Sequence, residues 1–164
     1  MSDRDSINTL SVSVNMTKLI TIFGSTGNQG GSVVRAILAH PELSRSWRIR
    51  GITRDPSKPN AVELSQQGVQ MVAADLSSKS SILQAIRGSD AVFGVTNYWE
   101  KGTLEFEVMQ GKNLADAAKE AGISHLIWSS LPFVSKGRMC LLFLFPPVHL
   151  SEANLYSSNT RKTP

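Results

Sequence analysis

The order of apolar runs predicts an α/β fold, a parallel sheet wound with helices on both faces. Three observations carry this expectation. Short β-rich runs alternate with amphipathic stretches along most of the 164 residues, as a sheet wound with crossover helices requires. Each connection leaves room for the helix that a parallel crossover needs. A glycine-rich turn, "FGSTGNQGG", joins the first apolar run to the first helical stretch.

The elements follow in order. "LITIF", from Leu19, reads as a buried strand. From Asn28, the residues Val33, Val34, Ile37 and Leu38 recur at helical spacing until Pro41 stops the helix. "WRIRGITR" is a second strand ending at Arg54. Pro56 and Pro59 mark a loop, and a short helix runs through Val62 and Leu64 to Gln67. Gly68 breaks it before a third strand, "VQMVAADL". In "SSKSSILQAIRGSD", Ile82, Leu83 and Ile86 form the inner face of a helix closed by Gly88. "AVFGVT" is a fourth strand. The long helix "TLEFEVMQGKNLADAAKEAG" has Phe106, Met109, Leu114 and Ala117 among its candidate inward residues, and "HLIWSS" is a fifth strand. Right-handed crossovers make a Rossmann-type, doubly wound order, 3-2-1-4-5, the natural arrangement.

Composition narrows the classes. Hydrophobic content of 41% and charged content of 18% describe an ordinary soluble globular chain. The net charge of +4 comes from scattered Lys and Arg, so direct nucleic-acid binding is not expected. Cys140 stands alone, which excludes an intramolecular disulfide and suits a reducing compartment. His40, His125 and His149 lie far apart, without metal-ligand spacing. Residues 1–16 read as a disordered leader; Asp3, Asp5 and the lack of a long apolar core argue against a secretory signal. Met16 is an alternative start. The longest apolar run, "MCLLFLF" from Met139, is too short to span a bilayer. These features fit a cytoplasmic location, with the nucleus as a second.

Gly24, Gly27 and Gly30 form G-x-x-G-x-x-G between the first strand and the first helix. Glycine has no Cβ to block an approaching phosphate and allows positive φ. The helix starting near Asn28 aims unpaired N–H groups and its positive dipole end at the same place. Thr26 and Asn28 can add side-chain hydrogen bonds, while Gly31 allows close packing on the sheet. In this strand–turn–helix context the motif predicts a dinucleotide ligand.

The end of the second strand selects the dinucleotide. An NAD site places an acidic residue there, on the ribose 2′-hydroxyl. Here Arg54 ends the strand, thirty positions after Gly24. A guanidinium there can clamp a 2′-phosphate with paired charge-assisted bonds, and Lys58 can add a second charge. Asp55 offers the opposite reading if it points inward. The strand-end position of Arg54 favours NADP. Asp75, in "AADL", either flanks the adenine with Leu76 or caps the following helix.

Taken with "VTNYWE" from Val95, the motifs "FGSTGNQGGSVV", "ITRDPSKP" and "HLIWSSL" resemble the NmrA-like family of atypical, NADP-binding short-chain dehydrogenase/reductase relatives. The resemblance covers roughly Lys18 to Pro132. It implies that Gly24, Ser25, Thr26, Gly27, Asn28, Gln29 and Gly30 cradle the pyrophosphate, and that Arg54 and Lys58 hold the 2′-phosphate. It further implies that Asp75 and Leu76 border the adenine, and that Thr96, Asn97 and Tyr98 line the path toward the nicotinamide. Some members carry a Lys where Met109 stands here. A protein partner, a transcription regulator, is implied by the family alone.

A short-chain dehydrogenase needs a Tyr with a Lys four residues on, and a Ser near the fifth strand. Ser129 and Ser130 fit the last requirement. Tyr98 and Tyr156 are the only tyrosines, and four residues after them stand Gly102 and Thr160. The standard proton relay therefore has no donor. No catalytic residue is assigned.

The dinucleotide-binding domain is expected over residues 17–136. Residues 137–164 are expected to form an irregular tail foreign to the family, as from an intron read through or a frame change. The fifth strand would then be an unpaired edge. "MCLLFLF" has two fates there: pairing as a substitute strand, or promoting aggregation. The expected function is an NADP(H)-binding regulator that senses nucleotide without dehydrogenase catalysis. The alternatives are an NADPH-dependent reductase of the isoflavone-reductase-like type and a truncated product without function.

Overall fold

A computed structural model of the chain describes residues 17–97, 101–130 and the strand residues 144–145. The expectations for the 1–16 leader, for Tyr98 and for most of the 137–164 tail concern residues outside that set.

Five parallel strands form the sheet: β1 (Lys18–Ile22), β2 (Trp47–Thr53), β3 (Gln70–Ala73), β4 (Ala91–Gly94) and β5 (His125–Trp128). Their order is 3-2-1-4-5, the Rossmann-type arrangement expected. A sixth strand, β6 (Leu144–Phe145), pairs antiparallel with β5 through Leu126↔Phe145 and Ile127↔Leu144. Backbone from the "MCLLFLF" run thus lies along part of the edge that the five-strand reading left open.

Between the strands run α1 (Asn28–Ala39), α2 (Pro41–Ser46), α3 (Pro59–Gln66), α4 (Lys79–Ile86) and α5 (Leu104–Glu120). The strands sort their side chains by the two-residue period of extended chain. Ile20 and Ile22 of β1 pack with Val34, Ile37, Ile49, Val69 and Phe93 on one face. Phe23, Ile52 and Val92 pack with Ile82, Ile86, Leu114 and Ala117 on the other. The central strands β1 and β4 are buried on both sides, as in parallel sheets generally, while β3 and β5 are half-buried to exposed.

Three local expectations are refined. Pro41 ends α1 as expected but also opens α2 at its first position, and Pro59 opens α3 in the same way. Proline lacks an N–H that would be orphaned there, and its φ is already helical. Arg54 lies one residue beyond β2, which ends at Thr53. On α5 the buried residues are Gln110, Leu114, Ala117 and Ala118, while Phe106 and Met109 are half-buried. The helix presents a later face than its apolar spacing suggests, with Leu114 seated over Gly94 of β4: a Cβ at Gly94 would lie 2.5 Å from Leu114 Cδ2 and 2.9 Å from Trp128 Cε3 of β5, well inside van der Waals contact.

Candidate dinucleotide site

The parallel strands bring the expected site residues to one edge, their carboxyl ends. The glycine loop follows β1, Arg54 follows β2, Asp75 and Leu76 follow β3, Thr96 and Asn97 follow β4, and Ser129 follows β5. β1 and β4 are neighbours, and the chain turns outward in opposite directions from them. Ligands of open α/β sheets bind at such a switch point.

The glycine loop is tightly built. Gly24 has φ +63°, the left-handed region that glycine enters without strain. Its carbonyl accepts from Gly27 N at 2.9 Å, and Gly27 O accepts from Gly31 N at 2.9 Å, the first bond of α1. A Cβ at Gly30 would lie 2.6 Å from the carbonyl oxygen of Phe23, so α1 can begin here only with glycine at that position. Gly27 is the N-cap of α1, and no side chain caps it. The N–H groups of the first turn therefore remain available to an anion. Thr26, Asn28 and Gln29 are exposed around them.

Ser25 points the other way. It is 1% exposed, and its Oγ donates to the carbonyl of Ile52 at 3.1 Å. It fastens the loop to β2, leaving the loop's backbone rather than this hydroxyl to face a ligand.

After β2, Arg54 and Lys58 are exposed. Asp55 lies between them and is folded back on Ser57: its Oδ1 accepts from Ser57 N at 2.9 Å and from Ser57 Oγ at 2.6 Å. The Ser57 hydroxyl, then its N–H, hold the Asp55 carboxyl below the usual carboxylate range, with a smaller contribution from Lys58. Thr53 Oγ1 accepts from Asp55 N at 3.3 Å and steadies the same turn. Sequence reading left the direction of Asp55 open. The D-x-S spacing was the available signal, since Asp side chains bond the backbone two residues on.

After β3, Asp75 does not cap α4. That cap is Ser78, whose Oγ accepts from Ser81 N at 3.3 Å. The Asp75 carboxylate accepts instead from Ser77 N at 2.8 Å. Leu76 is half-buried against the core, and its carbonyl accepts from Asn113 Nδ2 at 3.0 Å, tying the loop to α5.

At the end of β4, Thr96 Oγ1 donates to Glu107 Oε1 at 2.6 Å, while Asn97 is exposed. Ser129 Oγ donates to Gln29 Oε1, linking the end of β5 to the glycine loop. The sequence pointed to neither Glu107 nor this pairing. Among the described residues, no three His, Cys, Asp or Glu side chains gather to hold a metal, and no helix is long and apolar enough to cross a membrane.

Comparison with known proteins points the same way. The family model described as the NmrA-like family matches residues 16–139. An NmrA-like family domain-containing oxidoreductase of Penicillium ochrochloron is 42% identical over 119 residues, 69% of this chain and 34% of the relative. One from Malbranchea aurantiaca is 40% identical, with the same coverage. The chain spans about a third of the length of these curated relatives. NmrA, a negative transcriptional regulator solved in complex with NADP, aligns with a TM-score of 0.61 at 28% identity, over 73% of this chain and 35% of that one. NmrA has also been solved with NAD, aligning at 0.62 and 27% identity over 84% and 41% of the two chains. A triphenylmethane reductase of Citrobacter sp. complexed with NADP(H) shares the fold, with a TM-score of 0.62 at 23% identity over 87% and 45% of the two chains.

Proposed function

The chain belongs to the NmrA-like family, and on that premise we propose that it binds NADP(H) and acts as a nucleotide-sensing regulator without standard dehydrogenase catalysis. The glycine loop carries the reading. Gly30 stands where no Cβ fits, and the uncapped start of α1 offers its N–H groups to a pyrophosphate. Gly24 and Gly27 let the phosphates approach the backbone, with Thr26, Asn28 and Gln29 around them. Arg54 and Lys58 hold the 2′-phosphate, while Asp75 and Leu76 border the adenine. Thr96 and Asn97, with Tyr98, line the way toward the nicotinamide.

A bound nicotinamide would supply hydride chemistry. The residues near it supply hydrogen bonds, and no Tyr–Lys pair is present to protonate a product. A sensor needs only that the two nucleotide forms be held differently, so that one form favours a protein partner. The partner proposed is a transcription regulator, an expectation carried by the family resemblance alone.

An NADPH-dependent reductase is the second reading, favoured by the oxidoreductase names of relatives at 40–42% identity. Calorimetric titration of the chain with NADP⁺ and with NAD⁺ tests the cofactor. Saturable binding that prefers NADP⁺ is expected. Arg54→Asp removes the clamp and sets a like charge against the phosphate, costing about 2–5 kcal/mol of that preference if the pair is desolvated. An unchanged ratio would remove Arg54 from the site. Steady NADPH oxidation with a carbonyl or enone substrate would replace the sensor reading with the reductase one.

A further inference from the structure

In sites of this fold an acidic side chain at the end of the second strand selects NAD by bonding the ribose hydroxyl. This chain has such a side chain, Asp55, beside the two cations that would select NADP. Its carboxylate is engaged elsewhere: Oδ1 accepts from both Ser57 N, at 2.9 Å, and Ser57 Oγ, at 2.6 Å.

We propose that Ser57 determines nucleotide specificity as a positioning residue, holding the Asp55 carboxylate in its own turn and leaving the end of β2 to Arg54 and Lys58. The inference rests on the assignment of those two cations to a 2′-phosphate. The physical reason is competition for one anion. Both bonds fall on Oδ1 and fix how the carboxylate sits in its turn, so swinging the side chain round to a ribose hydroxyl would break the two of them. Remove the serine hydroxyl and one bond is lost, while the backbone N–H remains. Asp55 is then freer to reach the ribose, where it welcomes a hydroxyl and repels a phosphate. The lowered carboxyl pKa agrees with this arrangement, since Asp55 stays ionised at neutral pH. Thr53 contributes by holding the backbone of Asp55 through its own hydroxyl.

The experiment is calorimetric titration of the full chain and its variants with NADP⁺ and NAD⁺, read as the ratio of the two dissociation constants. Ser57→Ala is expected to lower the preference for NADP⁺ about 3- to 10-fold, the scale of one hydrogen bond. Ser57→Thr, which keeps a hydroxyl, is expected to restore it. In an Asp55→Asn background the Ser57→Ala step is expected to leave the ratio unchanged, because no carboxylate remains to be released. Asp55→Asn alone is expected to keep or strengthen the NADP⁺ preference.

Several results overturn the proposal. Wild type preferring NADP⁺, with Ser57→Ala unchanged in ratio, rejects it and leaves the cofactor assignment standing. A shift of equal size in the Asp55→Asn background rejects Asp55 as the intermediary. A move of Asp55→Asn toward NAD⁺ rejects it without recourse to the alanine variant. Wild type that binds neither nucleotide, or favours NAD⁺, rejects the underlying cofactor reading as well.

Discussion

The hydroxyl of Ser25 donates to the carbonyl of Ile52 at 3.1 Å, fastening the glycine loop to the neighbouring strand. The contact depends on the residue before Ile52. A Cβ at Gly51 would lie 2.8 Å from Ser25 Oγ and 2.8 Å from Met71 Sδ. Two glycine positions far apart in sequence therefore shape one loop: Gly30 admits the backbone of the turn, and Gly51 admits the side chain that pins it.

Ser25→Ala should lower stability by about 0.5–1.5 kcal/mol, the usual net worth of an intramolecular hydrogen bond. Gly51→Ala should cost more, about 1–3 kcal/mol, because it overpacks the same place. Met71 can yield, but Ser25 cannot without surrendering its bond. Urea denaturation of the two variants measures both. Equal midpoints for wild type and Gly51→Ala would mean that β2 and the loop are less tightly apposed than described.

Gly30→Ala should be the most damaging single methyl in the loop. Its Cβ would sit 2.6 Å from Phe23 O, a backbone atom that cannot rotate away. Destabilisation of at least about 1–3 kcal/mol is expected, with loss of nucleotide binding because the start of α1 must shift. Gly68→Ala is a useful contrast: nothing lies within 4 Å of its added Cβ, but φ is +89°, so it tests backbone strain without a clash. If Gly30→Ala keeps both stability and affinity, the cradle is built differently.

Much of this architecture was legible in the sequence, and the reason is local. Strand and helix periods, the glycine spacing and the prolines are written in neighbouring residues, so the strand order and the loop emerged from patterns of ten to twenty positions. What escaped is long-range or rotameric. The Gln29–Ser129 hydrogen bond joins residues a hundred positions apart, and the Thr96–Glu107 bond crosses a turn from strand to helix. The inward rotation of Ser25 depends on a glycine in another strand. Asp55 was an intermediate case: its D-x-S spacing is local, but the same residue also suits a ribose. Charge alone could not choose between a loop bond and a ligand.

The Asp55 turn has a pH signature. Ser57 lowers the carboxyl pKa in the folded chain, below the unfolded value of about 3.9. A depressed carboxyl pKa contributes stability above the unfolded value, and that contribution is lost as pH falls through the folded one. The turn should thus be fully formed at neutral pH and should open only in acid. An NMR titration of the Asp55 carboxyl should give a midpoint below about 3.9, rising toward it in Ser57→Ala. A wild-type midpoint at or above the ordinary value would show that the Ser57 bonds are not made in solution.

Thr96 offers the last test, at the opposite end of the site. Its hydroxyl donates to the half-buried Glu107 carboxylate at 2.6 Å, which anchors the end of β4 to the first turns of α5. Valine has the same shape without the donor. Thr96→Val should therefore cost about 1.5–3 kcal/mol, the range for a hydrogen bond to a charged group. Thr96→Ser should cost much less, since the bond survives. If the residue also lines the nicotinamide path, Thr96→Val should weaken binding of NADP⁺ more than binding of 2′,5′-ADP, which lacks the nicotinamide half. Equal weakening of both ligands would confine Thr96 to the packing of α5. Weakening of NADP⁺ alone would place it beside the ring.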